Sequence, residues 1–141
     1  MHIAMAYLEK GDVTLIPNPG YPTYSAACSL AGATVESYEL SASTGWLPDL
    51  KELEKRDLSK VKIMWVNYPH MPTGAQATTE FFTELRDFAI RHSILLVNDN
   101  PYSFILNENP ISLLAVPGMK DVAIELNSLS KSHNMAGWRI G

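Results

Sequence analysis

The sequence predicts an α/β fold, a mainly parallel sheet with helices on both faces. Three observations carry that expectation. Five short apolar runs alternate with segments of helical periodicity. Two of the runs, Ile63-Met64-Trp65-Val66 and Ile94-Leu95-Leu96-Val97, are apolar without alternation, as strands covered on both faces must be. Each of these two runs passes directly into a turn built from proline, asparagine or glycine.

In chain order, Met1–Glu9 reads as helix interior with no capping residue ahead of it, and Val13–Pro17 as the first strand. Tyr21–Leu30 is an alanine-rich helix that closes at Gly32, a residue suited to a helix C-terminus. Val35–Leu40 is the second strand. Asp49-Leu50-Lys51-Glu52 has the form of an N-cap with an acidic residue three places later. Lys62–Asn67 is the third strand. Thr79–Arg91 places Phe81, Leu85, Phe88 and Ala89 at i, i+4, i+7 and i+8, the stripe of an amphipathic helix whose apolar face is core packing. Ile94–Asn98 and Val122–Leu126 are the fourth and fifth strands.

With 141 residues, 46% of them hydrophobic and 18% charged, the chain reads as one soluble globular domain with a real core. A formal net charge of −4 without any lysine or arginine cluster argues against nucleic acid as a partner. No apolar run reaches the length of a membrane helix, and the first residues are not a secretory signal, so no membrane role is expected. Cys28 is the single cysteine, which excludes an internal disulfide and suggests a reducing cytoplasm. It reads as a buried or half-buried thiol. The four histidines are too scattered to pair as metal ligands, and no metal is expected. His133 reads as a loop histidine.

Three stretches carry chemistry. Ser128-Leu129-Ser130-Lys131-Ser132-His133 sets a lysine among small hydroxyl residues, and Arg139 follows eight residues later in Gly137-Trp138-Arg139-Ile140-Gly141. That pattern suits an aldehyde that carries a phosphate: the amine bonds the aldehyde, while hydroxyls and guanidinium take the phosphate oxygens. Asn98-Asp99-Asn100-Pro101-Tyr102 ends the fourth strand and delivers a carboxylate and a phenol to the carboxyl edge of the sheet, where open α/β folds bind ligands. Tyr68-Pro69-His70-Met71-Pro72-Thr73-Gly74 forms a stiff loop after the third strand. Each stretch alone also reads as an ordinary turn; their joint presence and order raise the chemical reading above that.

Together with Asn18-Pro19-Gly20-Tyr21-Pro22-Thr23-Tyr24, these motifs resemble the class I/II aminotransferases, fold-type I pyridoxal-phosphate enzymes, and the resemblance covers nearly the whole chain. It implies a task for each matched position. Lys131 would bond the cofactor and move the proton at substrate Cα, Asp99 would pair with the pyridine nitrogen, and Tyr102 would hydrogen-bond the ring 3-oxygen. Tyr21 would stack on the ring, and Ser128, Ser130 and Arg139 would bind its phosphate. The family usually has asparagine immediately before Pro-Thr-Gly; here that place holds Met71, which has no hydrogen to donate. Tyr102 is then the main donor to the 3-oxygen, with Asn67 or His70 as alternatives.

The resemblance further implies that the chain is the central part of the large, cofactor-binding domain, with the small C-terminal domain absent and the isolated piece inactive. It implies the spatial strand order fifth-third-fourth-first-second. For the parent protein it implies transfer of an amino group between an L-amino acid and a 2-oxo acid, through pyridoxal 5'-phosphate, by a cytoplasmic homodimer. A lyase, decarboxylase or synthase on the same scaffold, and a non-catalytic ligand-sensing domain, stay open as alternatives. The motifs do not name the amino acid.

Overall fold

Strands form where the apolar runs stand, and helices fill the intervals. The computed structural model describes residues 1–141 as α1 (His2–Tyr7), β1 (Val13–Asn18), α2 (Thr23–Leu30), β2 (Thr34–Glu39) and α3 (Leu50–Leu53), then β3 (Val61–Val66), α4 (Thr79–His92), β4 (Leu95–Asn100), β5 (Ala123–Asn127) and α5 (Leu129–Ser132). All four strand pairings are parallel. No helix is long and apolar enough to cross a membrane.

Local chemistry explains the helix ends. The helix expected from Tyr21 begins instead at Thr23, because a residue before proline is pushed out of the helical region and Tyr21 precedes Pro22. Asp49 caps α3 by accepting the Glu52 N–H at 3.1 Å. Thr78 caps α4 in the same way, accepting from Phe81 N at 3.1 Å.

Alternation along the strands sends side chains into two cores, one on each face of the sheet. Leu15, Met64, Val66 and Leu96 pack with Phe82, Leu85 and Phe88 of α4. Ile63, Trp65 and Val97 face the other way, against Ala4 of α1 and Ala27 and Cys28 of α2. The Cys28 thiol is fully buried there. Phe88 is 0% exposed in the larger core, so Phe88→Ala is expected to cost about 3–5 kcal/mol. A lower urea midpoint at unchanged slope is the readout.

The strand order is β2-β1-β3-β4-β5. This corrects the expected order, in which the third strand lay between the fifth and the fourth. Helix α4 returns the chain so that β4 lies beside β3, with Ile63 opposite Leu95, and β5 then pairs with β4, with Leu96 opposite Ala123. Consecutive parallel strands joined by one helix prefer adjacency. The apolar patterns of β3 and β4 are alike, so either would satisfy burial in either central slot. Only between β1 and β3 does the direction of travel across the sheet reverse, and open sheets place their ligand crevice at such a point.

Candidate active site

Four strand ends converge on one cavity of about 310 Å³. The loop after β1 brings Tyr21, the loop after β3 brings Asn67 and Met71, the end of β4 brings Asp99 and then Tyr102, and the segment after β5 brings Ser128, Ser130, Lys131 and Arg139. Nine of the ten candidate residues read from the sequence therefore line the same space, His70 being the exception. Tyr24, Pro101 and Ala136 complete the wall.

Asp99 stands on the floor. Its Oδ2 accepts a hydrogen bond of 2.8 Å from the Tyr24 hydroxyl, and its Oδ1 receives none from the protein. Burial pushes the Asp99 carboxyl above its ordinary value, with the Tyr24 bond acting in the opposite sense. Burial, and then the facing Asp99 charge, pushes the Tyr24 phenol well up, which keeps it a donor. Tyr24 is itself held from two sides. Its ring stacks on Trp65 at 5.2 Å and 15°, and the Tyr21 ring meets it edge-on at 5.9 Å. Tyr102 lies close enough to Asp99 that burial and the Asp99 charge raise its phenol as well.

The segment after β5 brings the cavity its cations, Lys131 and Arg139. Ser128 starts α5 with its Oγ accepting from Ser130 N at 3.1 Å, so its own O–H stays available as a donor. Lys131 follows on that turn and is exposed to the cavity side. Beyond α5 the chain folds back until Leu129 N donates to Ile140 O at 3.1 Å, which returns Arg139 to the rim. One Arg139 N–H donates to Ala136 O at 3.1 Å; the remaining donors of the fork are free for an anion. The cavity thus offers a carboxylate with an unfilled oxygen, hydroxyls, a guanidinium and a primary amine. A molecule with a cationic N–H, a reactive carbonyl and an anionic tail fits this donor set.

Comparison with known proteins shows the family. The family described as "Aminotransferase class I and II" matches residues 1–141. The chain belongs to the class I and II aminotransferase family. A curated relative named LL-diaminopimelate aminotransferase, from Dehalococcoides mccartyi, is 46% identical over 142 residues, which is 99% of this chain and 37% of the relative. Among solved structures, apo-BacF from Bacillus subtilis superposes with a TM-score of 0.93 at 40% identity, covering 98% of this chain and 35% of that one. A probable N-succinyldiaminopimelate aminotransferase from Thermus thermophilus superposes with a TM-score of 0.90 at 37% identity, covering 99% and 38%. The chain therefore spans a little over a third of the length of the proteins it matches.

Within this aminotransferase chain, two sequence expectations need amendment. Asn67 lines the cavity, but its Oδ1 accepts from Met71 N at 2.8 Å and one Nδ2 hydrogen goes to Asp99 O at 2.5 Å. A single N–H is left to serve a ligand. His70 lies outside this wall, buried, with both ring nitrogens engaged elsewhere. It does not supply the donor that Met71 lacks. His133 is exposed and bonded to the Ser132 hydroxyl at 2.8 Å, as a loop histidine.

Sequence reasoning missed Tyr24. A signal was present: Tyr24, Ala27 and Cys28 stand at i, i+3 and i+4, the buried stripe of α2, and Tyr24 alone in that stripe carries a strong hydrogen-bonding group.

Proposed function

We propose that the whole protein is a pyridoxal-phosphate-dependent aminotransferase, exchanging an amino group between an L-amino acid and a 2-oxo acid, and that residues 1–141 are its cofactor-binding part. The observation that carries this reading is the convergence, in one cavity, of an amine, a buried carboxylate with one unfilled oxygen, and a hydroxyl–guanidinium cluster. When bound, pyridoxal phosphate supplies an aldehyde that bonds amines and a protonated ring that draws electrons from substrate Cα.

Each residue then has a task at a stated atom. Asp99, whose Oδ1 has no protein donor, would accept the ring N–H and, when ionised, would keep that nitrogen protonated. Tyr24 fixes the other carboxylate oxygen, so that the charge is held in position before substrate arrives. Lys131 Nζ would hold the cofactor at rest and, once a substrate amine takes its place, would be the free base that takes and returns the proton at substrate Cα. Tyr102 Oη would donate to the ring 3-oxygen, and the exposed Tyr21 ring would stack on the cofactor. Ser128, Ser130 and Arg139 hold the phosphate, each charge-assisted bond contributing about 1.5–3 kcal/mol. Met71 would contribute shape and no donor, so the 3-oxygen would depend on Tyr102 and on the one Asn67 N–H left free.

The reading extends to a cytoplasmic homodimer acting on small molecules, supported by the family and by a single buried cysteine. Because the relatives include one named for LL-diaminopimelate and one for its N-succinyl derivative, diaminopimelate-type amino acids are the first donors to try. The test is the absorbance change of the pyridoxal-phosphate-loaded whole protein on mixing with single L-amino acids. Conversion by one of them, reversed by a 2-oxo acid, supports the proposal; inertness to every amino acid in a full panel contradicts it.

Tyr24→Phe separates the role of the Asp99 charge from that of its mere presence. It deletes the one protein donor to the carboxylate, a bond to a charged group worth about 1.5–3 kcal/mol. Turnover is expected to fall roughly tenfold or more. Losing a bond to the ionised form raises the Asp99 pKa further, so the acid limb of the pH–rate profile moves to higher pH. An unmoved acid limb would separate Tyr24 from the titration.

A further inference from the structure

His70 is 3% exposed and joins two loops that are far apart in sequence. Its Nε2 lies 3.2 Å from the carbonyl oxygen of Pro19, and its Nδ1 lies 2.8 Å from Thr73 Oγ1. A carbonyl oxygen can only accept, so the hydrogen is on Nε2, and the neutral Nδ1 accepts from the Thr73 hydroxyl. That hydroxyl oxygen accepts in turn from Ala75 N at 3.3 Å. Burial holds the imidazole pKa below its ordinary value and so favours that neutral state, while the Pro19 bond pulls the other way.

The two loops carry different parts of the cavity wall. Pro19 stands two residues before Tyr21, and Met71 directly follows His70. The loop after β1 is folded hard against its own strand: a Cβ on Gly20 would lie 2.4 Å from Pro17 O. The Pro19 carbonyl finds its hydrogen-bond donor across the gap, on His70. From His70 the chain of contacts continues, since Met71 N donates to Asn67 Oδ1 and Asn67 Nδ2 donates to the Asp99 carbonyl. One series of bonds thus ties the ends of β1, β3 and β4.

We propose that His70 is a positioning residue of this site, whose Nε2–H clamps the loop after β1 to the loop after β3 and so sets the place of the Tyr21 ring over the cavity. The clamp rests on geometry alone; its consequence for ligand affinity rests on the cofactor reading above. Two substitutions in the whole protein separate the halves of the imidazole. The amide of His70→Asn reaches where Nδ1 lies, and keeps Thr73, but not Pro19. The amide of His70→Gln reaches where Nε2 lies and donates to Pro19.

The measurements are amide hydrogen exchange without cofactor and the dissociation constant of pyridoxal phosphate. His70→Asn is expected to speed exchange across residues 18–24 and to weaken pyridoxal phosphate about tenfold, the scale of one lost buried hydrogen bond. His70→Gln is expected to restore both. In a Tyr21→Ala background the His70→Asn loss is expected to shrink, because the effect passes through Tyr21. Unchanged exchange at 18–24 in His70→Asn overturns the clamp, as does an Nδ1–H tautomer found by nitrogen-15 NMR of the unmodified protein, a measurement that needs no variant to fold. An equal His70→Asn loss with and without the Tyr21 ring also overturns it. Exchange and rescue as expected in a protein that takes up no pyridoxal phosphate would uphold the clamp and remove the cofactor reading.

Discussion

Lys131→Ala is expected to abolish amino-group exchange by the whole protein while leaving the fold intact. The amine is the cavity's lysine, on the short α5 turn, exposed and clear of both cores. Its removal creates no buried cavity and orphans no buried partner, so the thermal midpoint is expected to stay close to that of the parent protein. The chemistry is a different matter. Loss of a positioned base alone costs roughly 10²–10⁴-fold in turnover, and loss of the covalent attachment adds to it. Lys131→Arg is expected to be nearly as inactive. Guanidinium keeps the charge but stays protonated, so it neither bonds an aldehyde nor takes a proton. Steady-state turnover with an unfolding scan on the same samples checks the pair of expectations, and an active Lys131→Arg variant would contradict the assigned role.

Asp99→Asn is expected to lower turnover by about 10²–10³-fold, the usual effect of deleting one preorganised electrostatic group. The amide still accepts from Tyr24, so the local structure survives, but nothing then holds a positive charge on the facing ring nitrogen. The same substitution is expected to stabilise the cofactor-free protein near neutral pH. Burial raises the folded-state pKa of Asp99 above its ordinary value. At pH below the ordinary carboxylate range both states hold the proton, and Asp99 carries no penalty. As pH rises from that range through the raised folded value, the unfolded chain releases its proton first and the folded protein loses stability. The neutral amide is free of that penalty, so the variant's midpoint should exceed the parent's near neutrality, with the gap closing as pH falls. Pyridoxal phosphate should reverse the ranking by supplying the cation that the Asp99 charge faces. A site with these properties keeps, for catalysis, a group that the empty fold would discard. A gap independent of pH would show that the buried charge is not its cause.

Much of this was legible in the sequence because the chemistry sits next to the structural signal. Asp99 and Asn67 end apolar runs, and such runs in a parallel sheet all point their carboxyl ends the same way. A motif at the end of a strand is therefore carried to the same edge as the others. Lys131 and Arg139 follow the last strand by the same rule. What stayed hidden depends on partners far away in the chain. The Tyr24–Asp99 bond spans 75 residues and the His70–Pro19 bond spans 51, and no local period encodes either. The order of β3 and β4, which differs from the one the resemblance implies, is hidden for a related reason: both runs are apolar on two faces, so burial fits them equally well to either place. Only the crossover helix decides, and its route is not written in its stripe. The start of α2 was a different kind of miss, since Pro22 gave the boundary and the alanine-rich pattern outvoted it.

Every role proposed for this cavity turns on Lys131 being the amine that holds the cofactor. The most direct test adds pyridoxal phosphate to the whole protein, reduces with borohydride and maps the modified peptide. Lys10, Lys51 and Lys55 are exposed and serve as internal controls for unselective reaction. The expected result is one adduct, on Lys131, formed with about one equivalent of cofactor and lost in Lys131→Ala. Modification spread over the exposed lysines, with Lys131 no more reactive than the rest, would contradict the account.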